Sequence, residues 1–368
     1  MLSAKIAPLL LIPVFVALSC KKDRDANKTA SDIQIATGGF HTLVIKTDQT
    51  LWATGLNTEG QLGDGTTTNK NSLVKIMDGV KAVSVGGYNH TLILKTDNSL
   101  WVTGFNSKGQ LADGTNAAKA APVKIMDSVK TMTAGAFHSL IVKTNNTLWA
   151  AGDNLVGQLG DGTAIDRNTP VKIMDNVMAV AAGFSHSLFL KSDNTLWATG
   201  KNSEGQLGDG TTIYKNSPVK IMDNVKAIAA AGFFSLILKT DNTLWATGKN
   251  TKGQLGDGTT INRMSPVKIM DNVKAIAAGL EHTLMLKTNN SLWVTGENAA
   301  GQLGDGTLTS TKVPVKVMDN IKAIAAGSLH SIILKADNTV WAAGNNKEGE
   351  LGDNSYQQRN SFVIVPLP

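Results

Sequence analysis

Seven tryptophans divide most of the chain into segments of nearly equal length. The interval between neighbours is 49 residues once and 48 residues five times. The seven are Trp52, Trp101, Trp149, Trp197, Trp245, Trp293 and Trp341. The motif "GQLGDGT" and a histidine keep the same spacing from these tryptophans. A fixed period of this length indicates a repeat protein, in which each unit buries its apolar surface against the next unit.

Each unit contains four short segments with the pattern of β-strands. They read "KAIAAG", "HTLILKT", "LWATG" and "SPVKIM", and Gly, Asn and Asp turn signals separate them. No segment within a unit has the length and period of a helix. Four strands in a unit of this length are typical of a β-propeller blade, and closing the ring leaves no open sheet edge. An open solenoid is the alternative, but seven copies without distinctive end caps favour a closed ring. The prediction is an all-β fold, a seven-bladed β-propeller of four-stranded blades over residues 33–368.

The first 32 residues have a different composition. Lys5 precedes the apolar run "IAPLLLIPVFVAL", which is too short for a comfortable membrane span. The run ends at "ALSC", whose Cys20 is the only cysteine. This resembles a bacterial lipobox, in which signal cleavage leaves a lipid-modified cysteine, although Ala17 stands where such boxes usually have Leu. An ordinary secretory signal is the alternative. We expect a lipoprotein signal at 1–19, an acylated Cys20 with a polar tether over 20–32, and an extracytoplasmic protein anchored in the outer membrane or cell surface.

The formal net charge of +6 raises the question of a nucleic-acid partner. Most lysines lie at fixed places of the repeat, in "LKTD" and "VKIMD", each with an aspartate nearby. Nucleic-acid-binding surfaces gather their basic residues in a patch or stripe, whereas these charges are spread and locally paired. We therefore expect no nucleic-acid partner.

The repeat resembles that of a known family. The stretch "AAGFSHSLFLKSDNTLWATGKNSEGQLGDGT" is similar to the repeat of the regulator of chromosome condensation family: small residues, G-x-x-H-[ST], an apolar strand and W-G-x-N-x-x-G-Q-L-G-x-G. The resemblance covers all seven units, residues 33–365, although "WATG" replaces "WG". It implies a seven-bladed propeller that acts mostly as an interaction scaffold. The namesake's nucleotide exchange on a small GTPase depends on a wedge inserted in one blade, and the constant intervals leave no room for one here.

The tryptophans and histidines that recur in the repeat are expected to be structural. A tryptophan at one register in every blade suits a core position stacked between neighbouring sheets. Adjacent blades stack about 10 Å apart, too far for histidines to share a zinc ion at about 2.1 Å, and Phe234 replaces the seventh histidine. We expect no metal, and hydrogen bonds from each histidine that close its G-x-x-H turn. The six histidines each precede a tryptophan by eleven residues: His41, His90, His138, His186, His282 and His330.

The motif "GQLGDGT" is also predicted to be structural. A phosphate-binding loop needs a lysine after its glycines, and a calcium loop needs several carboxylates. Glycines suit a turn with positive φ, and the Gln and Asp can bond backbone groups of that turn. The chain also lacks the usual nucleophile and metalloprotease motifs. We therefore predict no cofactor and no enzymatic activity.

Function is expected where the units differ from one another. In an antiparallel meander the G-x-x-H turns and GQLGDGT loops share one face, which we call the loop face. The "TDNT" and "MDN" turns share the other, the turn face, and hardly vary. The loop face offers one large apolar side chain per blade and a charged sector, as protein-binding surfaces do; the alternative is that these side chains fold inward and fill the channel. The candidate binding residues are Phe40, Leu56, Tyr88, Asn89, Phe105, Phe137, Asp153, Phe184, Lys201, Phe233, Lys249, Leu280, Glu281, Glu297 and Leu329.

These observations predict a monomeric, non-enzymatic, lipid-anchored scaffold that binds a protein partner through the loop face. One alternative is a carbohydrate-binding or hydrolytic propeller that uses the central funnel. It would need non-repeating carboxylates or histidines there, and the sequence offers little beyond Asp153, Glu281 and Glu297. A second alternative is a regulator of guanine-nucleotide exchange, as in the family's namesake.

Overall fold

The computed structural model of the protein describes residues 32–87 and 89–368. Regular structure in this part of the chain consists of β-strands arranged in seven four-stranded sheets. No helix in these two ranges is long and apolar enough to cross a membrane. The predicted fold class, a seven-bladed propeller of four-stranded blades, is therefore confirmed.

The strands follow the repeat closely. Blade 1 contains β1 (Gln34–Thr37), β2 (His41–Ile45), β3 (Leu51–Gly55) and β4 (Lys70–Met77), and blade 2 contains β5 (Val80–Val85), β6 (His90–Lys95), β7 (Leu100–Gly104) and β8 (Lys119–Met126). Blade 3 contains β9 (Val129–Ala134), β10 (His138–Lys143), β11 (Leu148–Gly152) and β12 (Arg167–Met174), and blade 4 contains β13 (Val177–Ala182), β14 (His186–Lys191), β15 (Leu196–Gly200) and β16 (Lys215–Met222). Blade 5 contains β17 (Val225–Ala231), β18 (Phe234–Lys239), β19 (Leu244–Gly248) and β20 (Arg263–Met270). Blade 6 contains β21 (Val273–Ala278), β22 (His282–Lys287), β23 (Leu292–Gly296) and β24 (Thr311–Met318), and blade 7 contains β25 (Ile321–Ala326), β26 (His330–Lys335), β27 (Val340–Gly344) and β28 (Arg359–Val365).

Each blade is an antiparallel meander of four consecutive strands. In blade 4, for example, Phe189 of β14 lies opposite Trp197 of β15. The sheets therefore coincide with the sequence repeats, and the first and last strands of the chain belong to different sheets. This topology puts the G-x-x-H turns and the GQLGDGT loops on one face, as predicted.

The hydrophobic core lies between blades rather than within one. One cluster joins Leu236 and Ala246 of blade 5 to Ile276 and Met285 of blade 6. The seam between the two ends of the chain has the same construction, since Ile35 and Val44 of blade 1 pack with Ile332 and Leu334 of blade 7. The ring therefore closes by packing of side chains, without exchange of a strand between the ends.

The tryptophans lie between blades as expected, but they are half-buried rather than part of the sealed core. In blade 4, Trp197 packs against the core cluster that lies between blades 3 and 4. Its Nε1–H donates to Thr195 Oγ1 at 3.0 Å, and the ammonium of Lys191 lies 5.4 Å from the ring centroid. An indole needs a partner for its N–H, and this partner lies in the turn at the blade's end, so one ring edge stays near the surface.

Candidate functional site

A buried asparagine organises each GQLGDGT loop. In blade 4, Asn202 Nδ2 donates to Asp209 Oδ1 at 2.9 Å and to the carbonyl of Thr211 at 3.0 Å. Asn202 Oδ1 accepts the N–H of Leu207 at 3.0 Å. Gln206 Oε1 accepts the N–H of Glu204 at 3.0 Å. The Gln and Asp of the motif therefore bond the turn as expected, and the loop is a scaffold element.

The same loops also connect neighbouring blades. The N–H of Gly210 in blade 4 donates to the carbonyl of Met264 in blade 5 at 2.9 Å. At the closing seam, the N–H of Asn354 in blade 7 donates to Asn71 of blade 1 at 3.1 Å. A Cβ on Gly205 would lie 2.6 Å from the carbonyl oxygen of Arg263, so this close approach requires glycine. The loop therefore has a second structural role that its own sequence does not reveal.

Each repeat histidine closes its own turn through its backbone carbonyl, which in His186 accepts the N–H of Gly183 at 2.9 Å, and its side chain reaches the next blade. His186 Nε2 lies 3.0 Å from Ser235 Oγ, and Ser235 Oγ is 2.7 Å from the carbonyl of Gln206. The hydroxyl has one proton, which it donates to that carbonyl, so it accepts from an Nε2–H tautomer of His186. The same contact joins His41 to Thr91, His90 to Ser139, His138 to Ser187, His282 to Ser331 and His330 to Thr42.

These histidines are fully buried. Burial lowers the pKa of His186 to about 3 and the pKa of His282 to about 4. Loss of hydration disfavours the imidazolium, so the rings are neutral at physiological pH. The described residues include no group of three or more His, Cys, Asp or Glu side chains that could hold a metal ion.

Blade 5 departs from the pattern at two positions together. In blade 4, a Cβ on Gly183 would lie 2.5 Å from His186 Nδ1, so the imidazole requires glycine there. Blade 5 has Ala231 and Phe234 at the corresponding positions, and Phe234 is fully buried. Thr283 of blade 6 still donates to the carbonyl of Gln254 at 2.7 Å. The bond from hydroxyl to loop carbonyl therefore persists without the histidine.

Four phenylalanines form a continuous row across blades 2 to 5, which we call the aromatic arc. The ring centroids of Phe105 and Phe137 are 6.2 Å apart, those of Phe137 and Phe184 are 6.2 Å apart, and those of Phe184 and Phe233 are 5.2 Å apart. These separations are favourable for aromatic pairs. All four rings are half-buried, so each keeps some exposed surface. Tyr88, the candidate of blade 2, lies outside the described residues.

Other candidates border the central channel. Phe40, Phe184, Leu280 and Leu329 line a cavity of about 190 Å³ whose walls are mainly Ala and Gly. These four side chains border the channel, as the inward-facing alternative expects. Phe105, Phe137 and Phe233 are not among the lining residues. Phe184 therefore belongs to both the channel mouth and the aromatic arc.

The charged candidates form ion pairs across blade boundaries. Glu281 pairs with Lys249 at 2.5 Å, Glu297 with Lys252 at 2.7 Å, and Asp153 with Lys108 at 3.8 Å. Burial raises the pKa of Asp153. None of the three carboxylates lines the described cavity. The ammonium groups of Lys201 and Lys249 lie 4.6 and 5.9 Å from the Phe233 centroid, where a cation–π contact is favourable. The two remaining candidates, Leu56 and Asn89, are half-buried.

A second apolar group on the loop face was missed by the sequence analysis. Ile165, Ile213 and Ile261 stand at the same loop position of blades 3, 4 and 5 and are 60, 64 and 64% exposed. We call seven exposed apolar residues in or next to the loops between the third and fourth strands of blades 3 to 6 the aliphatic rim: Leu155, Ile165, Ile213, Tyr214, Ile261, Met264 and Leu308. The other blades have Thr68, Ala117, Thr309 and Gln357 at the position of the three isoleucines. This contrast between blades is visible in the sequence and is the signal for these residues.

Fold and site together define a β-propeller with a uniform turn face and an apolar sector on its loop face. The model of the RCC1-like domain matches residues 174–367, more than half of the chain. Two models of the regulator of chromosome condensation (RCC1) repeat match residues 33–61, 80–110 and 129–158, and residues 97–142 and 145–190. The chain therefore belongs to the RCC1-like domain family.

Solved structures show the same fold. Human WBSCR16 is 20% identical, with 87% of this chain and 94% of that chain covered and a TM-score of 0.78. Prp20p from Saccharomyces cerevisiae is 22% identical, with 86% of this chain and 85% of that chain covered and a TM-score of 0.77. Prp20p was characterised for its binding to Gsp1p and histones, and yeast RCC1 (Prp20) has also been solved bound to Kap60. No curated protein matches this chain significantly in sequence.

Proposed function

We propose that this protein is a non-enzymatic scaffold that binds a protein partner through the loop face. The observation that carries the proposal is the concentration of apolar side chains on blades 3 to 5, which carry three of the four phenylalanines of the aromatic arc and six of the seven residues of the aliphatic rim. Exposed apolar side chains gathered in one sector of a soluble domain are typical of a protein interface. Half-buried aromatic rings add rigid anchors at a low entropic cost.

The family supports this class of function without identifying the partner. RCC1-like propellers are a protein-interaction fold, and Prp20p, for which binding to Gsp1p and histones is recorded, is one example. In this chain the third and fourth strands of every blade are joined by a loop of the same length, from Gly55 to Lys70 in blade 1 and from Gly344 to Arg359 in blade 7. The nucleotide-exchange wedge expected of the namesake therefore has no counterpart among these loops.

We also propose that Cys20, which lies outside the described residues, is acylated and anchors a monomeric protein outside the cytoplasm, in the outer membrane or at the cell surface. The position of the first strand supports this arrangement. β1 runs from the turn face towards its G-x-x-H turn, and Lys322 Nζ at the start of blade 7 binds Asp32 Oδ1 at 2.7 Å. A tether that leaves from the turn face would direct the loop face away from the membrane.

The binding proposal is tested by crosslinking on intact cells followed by mass spectrometry. One variant combines Ile165→Ser, Ile213→Ser and Ile261→Ser, which change exposed positions and spare the core. Its control combines Thr68→Ser, Thr309→Ser and Gln357→Ser at the same loop position of other blades. Because each lost isoleucine removes apolar contact worth about 1.5 kcal/mol or more, we expect capture of the partner to fall at least tenfold in the first variant alone. Unchanged capture would overturn the proposal.

The anchor is tested separately with Cys20→Ala. We expect this variant to leave the membrane fraction while its propeller keeps the same unfolding transition. If the variant stays with the membrane to the same extent as the unaltered chain, acylation at Cys20 is wrong.

A further inference from the structure

The two faces of the propeller carry opposite net charge. Among the described residues, the turn face has eighteen lysines and twelve aspartates, a net charge of +6. The loop face has twelve basic and fifteen acidic side chains, a net charge of −3. A summed charge of one sign on one flat face produces a potential that extends about one Debye length, roughly 8–10 Å, from the surface.

The excess of positive charge comes from a ring of seven lysines, one at the end of the second strand of every blade. Each ammonium lies 4.9–5.6 Å from the centroid of the tryptophan in its own blade. We call these residues the lysine ring: Lys46, Lys95, Lys143, Lys191, Lys239, Lys287 and Lys335. The half-buried indoles hold the ammonium groups at the surface of the turn face.

The lysine ring differs from the other basic residues of the turn face in its partners. Lys75 and its equivalents in blades 2 to 6 each form an ion pair with the aspartate three residues later, at 2.7–2.8 Å. No member of the lysine ring forms an ion pair with a described carboxylate. The nearest acidic groups are in the adjacent turns, where Asp193 and its equivalents accept hydrogen bonds from Thr or Ser two residues later. The turn aspartates of five blades attract these ammonium groups without forming an ion pair with them, so the ring can still contact an external anion.

Both ends of the described chain lie on this face. Asp32 binds Lys322 at the start of β25, and the carbonyl of Pro368 accepts a hydrogen bond from Lys46 of the lysine ring at 2.5 Å. Residue 32, where the described chain begins, therefore lies on the same face as the lysine ring. The same lysine recurs at the same position in every blade. Such a ring of identical charges suits a surface that presents many equivalent anions better than it suits a single protein with its own shape.

We propose that the turn face is an electrostatic docking surface for anionic lipid headgroups, with the lysine ring making the contacts. Docking of this face on a bilayer would hold the loop face parallel to the membrane and pointing outward. Lysines near an anionic bilayer each add favourable electrostatic energy, and the attraction weakens as salt screens it. Lipid docking by the turn face depends neither on acylation of Cys20 nor on a partner at the loop face. Any one of these three proposals could therefore fail while the other two hold.

The test measures binding to phosphatidylcholine vesicles with and without phosphatidylglycerol, by co-sedimentation at low and high salt. The protein is residues 21–368, which retain the tether and all the strands and core clusters described above but not the apolar leader. We expect binding to the anionic vesicles, little binding to the neutral ones, and release at high salt. Absence of binding to anionic vesicles at low salt would overturn the proposal.

Three triple variants test whether the lysine ring, rather than the total charge of the protein, binds the vesicles. Lys143→Gln, Lys191→Gln and Lys239→Gln together should reduce binding to anionic vesicles at least tenfold, whereas arginine at the same three positions should preserve it. The matched control, Lys201→Gln, Lys312→Gln and Lys347→Gln, removes the same charge from the loop face and should change binding by less than about twofold. Equal losses in the two glutamine variants would refute the assignment to the turn face. Binding of single-stranded DNA as tight as that of vesicles at equal phosphate concentration would refute the lipid assignment.

Discussion

Blades 4 and 5 solve the same packing problem with different residues. Blade 4 uses Gly183 with His186, and blade 5 uses Ala231 with Phe234. Both aromatic side chains are fully buried, and in both cases the hydroxyl of the next blade donates to a loop carbonyl at 2.7 Å. The histidine therefore fills space and donates one hydrogen bond, and the glycine makes room for its ring. The repeat specifies a pair of residues that fit each other, so the pair can be exchanged only as a unit.

The largest expected effect of this difference is on acid stability. The folded-state pKa of His186 is about 3, below the ordinary value of 6.5. The folded state excludes a proton that the unfolded chain binds, so this stability is complete above pH 6.5 and is lost as the pH falls towards 3. Each excluded proton contributes a slope of about 1.4 kcal/mol per pH unit to the free energy of unfolding.

Converting blade 4 to the blade 5 pair, with Gly183→Ala and His186→Phe, should reduce proton uptake on unfolding near pH 5 by one. The pH dependence of the urea midpoint measures this uptake, and the unaltered chain is the reference. An unchanged slope would show that His186 is protonated in the folded state.

The second effect is a steric conflict within one blade. Gly183→Ala alone places a Cβ 2.5 Å from His186 Nδ1, and overpacking of this kind costs about 1–3 kcal/mol. Adding His186→Phe should recover part of the loss, because the pair is then that of blade 5, although in blade 5 the pair is accompanied by Gly232 at a φ of 42°. Urea denaturation measures the free energy of unfolding for both variants.

The control for this experiment is Gly87→Ala in blade 2. A Cβ on Gly87 would lie 3.6 Å from the nearest atom, in ordinary contact, so the change should stay within about 0.5 kcal/mol. Two results would contradict the idea that residues 183 and 186 must fit each other. One is a loss of stability in Gly183→Ala as small as that in Gly87→Ala, and the other is a double variant as unstable as Gly183→Ala alone.

Blade 7 offers a third comparison, because Glu350 stands where the other six blades have glutamine. Glu350 is fully buried, burial raises its pKa, and its carboxylate accepts the N–H of Glu348 at 2.9 Å. Because the folded pKa is above the unfolded value, the stability from this group is complete below the unfolded pKa and is lost as the pH rises through the folded pKa. Glu350→Gln should therefore stabilise the protein at pH 8 and have little effect at pH 4. Thermal unfolding at the two pH values checks this, and a gain that is the same at both would contradict the titration of Glu350.

The smallest effect concerns blade 2, where Ala112 adopts a φ of 59°. The corresponding residue of blade 3, Gly160, has a φ of 80°. A left-handed backbone conformation is costly for alanine, and Ala112→Gly removes this cost. Glycine also makes the unfolded chain more flexible, which offsets part of the gain, so we expect a net stabilisation of about 0.5–1 kcal/mol. The reverse change, Gly160→Ala, should lose at least as much. A stability decrease in Ala112→Gly would show that the strain is relieved elsewhere.

The sequence was sufficient for the fold because the information needed lies within one unit. The alternating pattern of "HTLILKT" and the turn residues predict the strands and the two faces. The tryptophan spacing predicts the number of blades. Contacts between units do not follow from this pattern. The bond from His186 to Ser235, the backbone bond from Gly210 to Met264 and the aromatic arc all join residues of different blades. Phe105 and Phe137 were proposed individually, but their contact required the ring geometry. Cys20 and Tyr88 remain predictions.

Coincidence of blade and repeat has a consequence for the gene. Here every sheet is formed by one continuous stretch of the chain, and the seam between blades 7 and 1 resembles the internal interfaces. Unequal crossing-over between neighbouring copies would therefore add or delete a complete blade with both of its contact surfaces.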